Sequence, residues 1–233
     1  MEDFYHLAGI LRLSSKYLIS YLRIQAIQYL TKTWPYTIRG HDEMVNQSLT
    51  AANSVDGTTY PYVHPLHVLK LAREVDIQII VPSALYFLSM YPLKRLHEHP
   101  KLQIDHPSRP SNELSFEDVS QYTLMYQHRI NIILKFICDT CKKRKCQTPE
   151  ECPQVQLASR FNIDQMRIPS MGAFRLMAQA MEWVHKDDTI CGPCKRAFCE
   201  DVSVLRERLW EELPSVVGLR SWEDLLASDL PSS

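Results

Sequence analysis

The sequence predicts a mainly α-helical, irregular domain with a cysteine-rich zinc clasp, and three observations carry that prediction. Apolar residues recur at helical spacing in successive segments, and no alternating strand-hairpin pattern accompanies the opening ones. Fourteen prolines stand against six glycines, a balance that suits short helices with stiff connections and disfavours glycine-rich loops that cradle phosphates. Two Cys-x-x-Cys pairs, Cys138 with Cys141 and Cys191 with Cys194, lie on separate segments of the second half.

Bulk composition narrows the function. The 233 residues are 45% hydrophobic and 23% charged, as in an ordinary globular protein with a real core. The net charge of −1 provides no global field toward nucleic acid or an anionic membrane, so such binding would need a local patch. The N-terminal segment lacks a basic start, and its apolar stretch is broken by Arg12 and Lys16, so it does not read as a signal peptide. No run is long and apolar enough for a membrane helix. A cytoplasmic or nuclear setting is expected. There, seven cysteines are more readily thiols or metal ligands than disulfides.

Taken in order, residues 1–35 read as a helical pair. Phe4, Leu7, Ala8, Leu11 and Tyr17 include positions at helical spacing, and Ser14 with Ser15 offers a break or a cap. Leu18, Tyr21, Leu22, Ala26, Tyr29 and Leu30 then form a second stripe, which Trp34 before Pro35 stops. Residues 36–63 are polar and mixed, with a turn signal near Asp56 and Gly57, and read as a loop or insertion. The remaining 64–233 read as one helical domain with a cysteine-rich region, 138–199. Pro65 begins a helix with Leu66, Leu69, Ala72 and Val75 on one side, and Pro82 begins another with Ala84, Leu85, Phe87 and Leu88. Residues 97–113 form a second loop. Ser115 can cap a long helix through the backbone N–H near Asp118, and that helix runs directly into Cys138. A helix holding Phe174, Met177, Met181 and Trp183 ends near His185. A last long helix, from about Lys195 to Glu212, is stopped by Leu213 and Pro214, and the tail folds back through Trp222 and Leu225.

The cysteines are the strongest chemical signal. Two thiolates separated by two residues can face one ion, and a second pair completes tetrahedral coordination at about 2.3 Å per sulfur. All seven cysteines fall between 138 and 199. Cys138, Cys141, Cys191 and Cys194 are the candidate structural zinc ligands, with Cys146, Cys152 and Cys199 as alternates. Gly192 and Pro193 favour a tight turn within the second pair. Free thiols and redox chemistry remain the competing readings. The basic run from Lys142 to Lys145 reads either as a nuclear-import or phosphate-contacting signal or as a solvated loop offsetting the charge of a four-thiolate centre.

Several of these segments carry a family resemblance. Leu13, Lys16, Tyr17, Leu22, Arg23, Ala26, Ile27 and Leu30 resemble the closing helices of a BTB (POZ) domain. Leu71 to Val75 followed by Pro82 to Tyr86 resembles the helix pair that follows such a domain, a BACK-type extension. The tail with Leu209, Trp210, Leu213, Pro214, Gly218, Leu219, Trp222 and Leu225 is similar to the C-terminal region of BTB-containing proteins of mushroom-forming fungi. The resemblance implies BTB-tail and BACK-like helices without the strand-rich BTB core. It also implies a protein-binding role, as a scaffold or a ubiquitin-ligase adaptor fragment.

Catalytic signatures are missing: there is no G-x-S-x-G, no H-E-x-x-H and no glycine-rich nucleotide loop. The expectation is a non-enzymatic protein–protein interaction module with an unidentified protein partner, no membrane and no nucleic acid. The alternative is a nucleic-acid-associated zinc-binding regulatory protein.

Overall fold

A computed structural model describes residues 2–50, 63–93, 110, 113–140 and 172–231. The described residues are mainly helical and contain no strand. They fall into two compact units. The first joins residues 1–126 with the C-terminal segment 211–233, and the second spans 127–210.

The first unit opens with α1 (Glu2–Lys16) and α2 (Ser20–Thr33), which pack against each other as a hairpin. Ser14 and Ser15 do not break α1. Ser14 stays inside the helix, buried, with its hydroxyl donating to the Leu11 carbonyl at 3.1 Å. Tyr5, Ala8 and Leu11 bury one face of α1, and Ala26, Ile27 and Leu30 bury one face of α2. Over 36–63 the structure departs from the expected loop, because Ile38–Thr50 forms α3. Its buried face is His41, Met44 and Val45. A histidine occupies the central position of that face, so the stripe reads as polar in sequence. Its ring is nonetheless used as an aromatic surface, stacked on Phe87 with centroids 5.5 Å apart and planes at 2°.

Helices α4 (Pro65–Glu74) and α5 (Val81–Leu88) pack together and form the centre of this unit. Every residue of α5 is buried. Each helix carries proline in its first turn, where the missing N–H costs nothing. The long helix α6 (Phe116–Lys135) begins with a reciprocal capping box. The Asp118 N–H donates to the Ser115 hydroxyl at 3.1 Å, and the Ser115 N–H donates to the Asp118 carboxylate at 3.0 Å. Lys70 also donates to Asp118, at 2.8 Å, and Arg73 reaches its other oxygen, at 3.4 Å, which ties α4 to α6. Burial pushes the Asp118 carboxyl upward. Its hydrogen bonds from Lys70 and Ser115 outweigh that and hold it below the usual carboxylate range.

The C-terminal segment returns to this unit as a short turn, α9 (Leu213–Val216), and a last helix, α10 (Trp222–Asp229). Leu213 and Pro214 therefore open a new turn after the long helix has ended. Asp229 fastens the segment: one carboxylate oxygen accepts the N–H groups of Gln78 and Ile79, each at 2.7 Å.

In the second unit, α6 ends in a π-helical turn, Phe136–Thr140. Helix α7 (Gly172–Lys186) buries Phe174, Met177, Ala180 and Val184, while Trp183 is exposed. Helix α8 (Gly192–Glu211) buries Phe198, Val202 and Trp210, and Phe174 meets Trp210 edge to face at 5.2 Å. The last carbonyls of α7 gain a partner as Lys195 donates to the His185 carbonyl at 3.0 Å.

Candidate interaction surface

Cys138 lies exposed in the π-helical turn, and Cys191, Cys194 and Cys199 are half-buried. Among the described residues no group of three or more His, Cys, Asp or Glu is placed to hold a metal ion. Cys141, Cys146, Cys152 and the basic run from Lys142 to Lys145 lie outside the described residues. The second pair also differs from the expected tight turn. Gly192, Pro193 and Cys194 form the first turn of α8, and the Cys191 carbonyl accepts the Lys195 N–H at 3.0 Å. Proline in a first helical turn explains this, because its fixed φ is already helical. Burial pushes the Cys199 thiol up, and its sulfur donates toward the Met181 carbonyl at 4.0 Å.

A different feature stands out at the α1–α2 hairpin. Ile10, Leu13 and Tyr17 lie at i, i+3 and i+7, on the side of α1 opposite its buried face, and all three are exposed. Leu18 and Ile19 in the connection are exposed as well, followed by Tyr21 and Leu22 in the first turn of α2. Exposure reaches 84% at Leu18, 69% at Tyr21, 63% at Tyr17 and 56% at Leu13. Large side chains of this kind present on the order of 150–250 Å² each. Summed over the seven, roughly 800 Å² is left uncovered within residues 10–22.

Backbone geometry sharpens the point. Three helices of this unit end in the same hydrogen-bonded motif, in which the residue after the cap takes a left-handed conformation. After α9 the position is Gly218, at φ 75°, and the Leu219 N–H returns to the Pro214 carbonyl at 2.9 Å. After α4 it is Asp76, at φ 50°, with the Ile77 N–H on the Ala72 carbonyl at 2.9 Å. After α1 it is Leu18, at φ 55°, with the Ile19 N–H on the Ser14 carbonyl at 2.8 Å. Glycine has no Cβ to clash there, and aspartate tolerates the conformation. Asp76 is further held by Arg23, which donates to its carbonyl at 2.9 Å and to the Val75 carbonyl at 2.7 Å. Leucine has neither advantage, and its side chain points into solvent. Folding alone gives no reason for a leucine at this position.

The apolar stripe that the sequence shows over Leu18, Tyr21, Leu22, Ala26, Tyr29 and Leu30 is divided in the structure: Ala26 and Leu30 are buried, and the other four are exposed. A signal was present, since α1 carries apolar residues on two faces rather than one. An open groove of about 580 Å³ lies beside the far end of α2, lined by Tyr29, Thr33, Tyr36, Glu43, Met44 and Gln47 among others. No helix among the described residues is long and apolar enough to cross a membrane. No family model, curated protein or solved structure matches the chain.

Proposed function

We propose that this chain is a non-enzymatic protein-interaction module that docks its partner on the apolar tip of the α1–α2 hairpin. The observation that carries the reading is Leu18. It is a large aliphatic residue in a left-handed position, exposed at 84%, at the centre of a run of exposed apolar side chains. The conformation costs about 1–2 kcal/mol relative to an ordinary helical one. Burial of the side chain against a partner would offset that cost. The resemblance of the α4–α5 pair and the tail to the post-BTB region of fungal proteins supports a binding role, and adaptor activity within a ubiquitin ligase is the specific form it suggests. The zinc clasp through Cys138, Cys141, Cys191 and Cys194 is a separate proposal, supported by the two Cys-x-x-Cys pairs alone.

The test is affinity capture from lysate with and without nuclease, comparing wild type with Leu13→Asp and Leu18→Gly. A protein that wild type retains and both variants lose supports the reading. Capture that survives both substitutions removes the hairpin from the account. Capture that disappears with nuclease moves it to the nucleic-acid alternative.

A further inference from the structure

We infer that the hairpin's partner is an amphipathic α-helix carrying carboxylates beside its apolar stripe. The inference rests on the interaction reading above and names the chemistry of the occupant. Its first support is spacing. His6, Ile10, Leu13 and Tyr17, all exposed, follow one another at intervals of four, three and four residues. That is the heptad pattern of a helix whose seam packs against another helix, knobs into holes. From Ile10 to Tyr17 the seam is about 10 Å long, two turns of helix. The hairpin tip extends it through Leu18 and Tyr21.

Charge supplies the second support and decides between occupants. Residues 10–33 contain four cationic side chains, Arg12, Lys16, Arg23 and Lys32, and no acidic one, in a chain whose net charge is −1. Two of the four are engaged within the unit. Arg12 donates to Glu74 at 2.8 Å, and Arg23 bonds Ser15 and the end of α4. Lys16 and Lys32 have no carboxylate partner among the described residues. They lie over the rings of Tyr17 and Tyr29, 5.5 and 5.7 Å from the centroids. Lys16 thus sets a positive charge at the edge of the tip, while Lys32 lies roughly 15 Å farther along α2 than Leu22. A second copy of the chain would bring Lys16 against the same patch, which has no acidic residue over 10–33, because a two-fold interface buries the same surface of both subunits. A helix flanked by Glu or Asp meets it with opposite charge, which sets orientation and encounter rate.

The experiment uses the full chain and two synthetic peptides of about three heptads. Both carry leucine at the seam positions; one is flanked by glutamate and the other by lysine. Binding is followed by fluorescence anisotropy. The chain is also examined by sedimentation velocity and by flotation with phosphatidylserine vesicles. The glutamate peptide should bind saturably, at least about tenfold tighter than the lysine peptide. Leu13→Asp and Leu18→Gly should each weaken it about tenfold or more while the helical circular-dichroism spectrum is retained. Lys16→Glu should reduce the preference for the glutamate peptide and favour the lysine peptide. Equal binding of the two peptides, absence of binding, or a preference unmoved by Lys16→Glu overturns the inference. So does a dimer that Leu13→Asp dissociates, or binding to vesicles alone. If the peptides fail while a captured protein is still lost from both hairpin variants, the interaction reading stands and only the acidic helix falls.

Discussion

Leu18→Gly should make the protein more stable, against the general expectation that truncating a leucine destabilises. An L-residue in the left-handed region costs about 1–2 kcal/mol, and glycine does not bear that cost. Against this, glycine loses more backbone entropy on folding, about 0.4–1 kcal/mol. At 84% exposure the leucine side chain has little burial to lose, a few tenths of a kcal/mol at the usual value per area. The balance is a gain of about 0.5 kcal/mol. In a chain of this size that is a rise of about 1–2 °C in the unfolding midpoint. Differential scanning calorimetry and urea unfolding of wild type and variant, in the same buffer, measure it. Gly218→Ala is the mirror experiment. Gly218 has φ 75°, and an added Cβ would meet no atom within 4 Å, so the backbone cost is isolated. A loss of about 1 kcal/mol is expected there. If Leu18→Gly instead lowers stability by 1 kcal/mol or more, the leucine is held by interior contacts and the argument for a solvent-facing role collapses.

Further outcomes follow from Asp229, Asp118, His64 and the cysteine pairs. Asp229→Ala should cost about 3 kcal/mol in chemical denaturation, because it leaves the N–H groups of Gln78 and Ile79 without their acceptor. Asp229→Asn, which keeps an oxygen there, should stay within about 1 kcal/mol of wild type. Burial raises the Asp229 carboxyl, so the folded state binds its proton more tightly; wild-type stability relative to Asp229→Asn should fall as pH rises from about 4 through the raised value. Asp118 behaves oppositely. Its carboxyl is depressed in the fold, so the contribution of its bonds to Lys70 and Ser115 is present above about pH 4 and lost as pH falls through the folded value, a dependence that Asp118→Asn should remove in urea melts. His64, whose Nδ1 accepts the Leu66 N–H at 3.2 Å, is lowered by burial to about 4; stability should decline as pH drops from 6.5 toward 4, and His64→Ala should flatten that slope. Finally, the clasp predicts about one zinc per chain in reduced, purified protein, lost in Cys138→Ser and Cys191→Ser; metal analysis that finds no zinc in wild type removes it.

The parts of the fold that were legible in the sequence are those set by local chemistry. Ser115 announces a helix start because its hydroxyl can accept the backbone N–H three residues on, and Asp118 suits the positive end of the helix; the return bond from the Ser115 N–H to Asp118 came only with the structure. Pro65 and Pro82 mark helix starts because proline is free of penalty only there. Trp34 before Pro35 ends a helix for the complementary reason. What stayed hidden depends on which partner a face meets. His41 hid α3, since a polar residue type stood at the centre of an aromatic cluster. Gly192 and Pro193 suggested a turn between two cysteines and instead became the first turn of α8, because both residues also suit a helix start.

The hairpin was hidden for a more general reason. In α2, Ala26, Ile27 and Leu30 share one side and Tyr21, Leu22 and Tyr29 another, and each set alone has helical spacing. Periodicity identifies the helix but cannot say which of two apolar sides is the inner one. Energetics separates them: the smaller, closely packed set is fully buried, and the bulky, tyrosine-rich set is left outside with lysines along its edge. A core selected for stability alone would place the large aromatics inside, where each buries most area. Here the fold keeps them out and adds a strained leucine at the apex. That arrangement costs stability in the isolated chain, and burying the exposed apolar side chains against a partner would offset the cost.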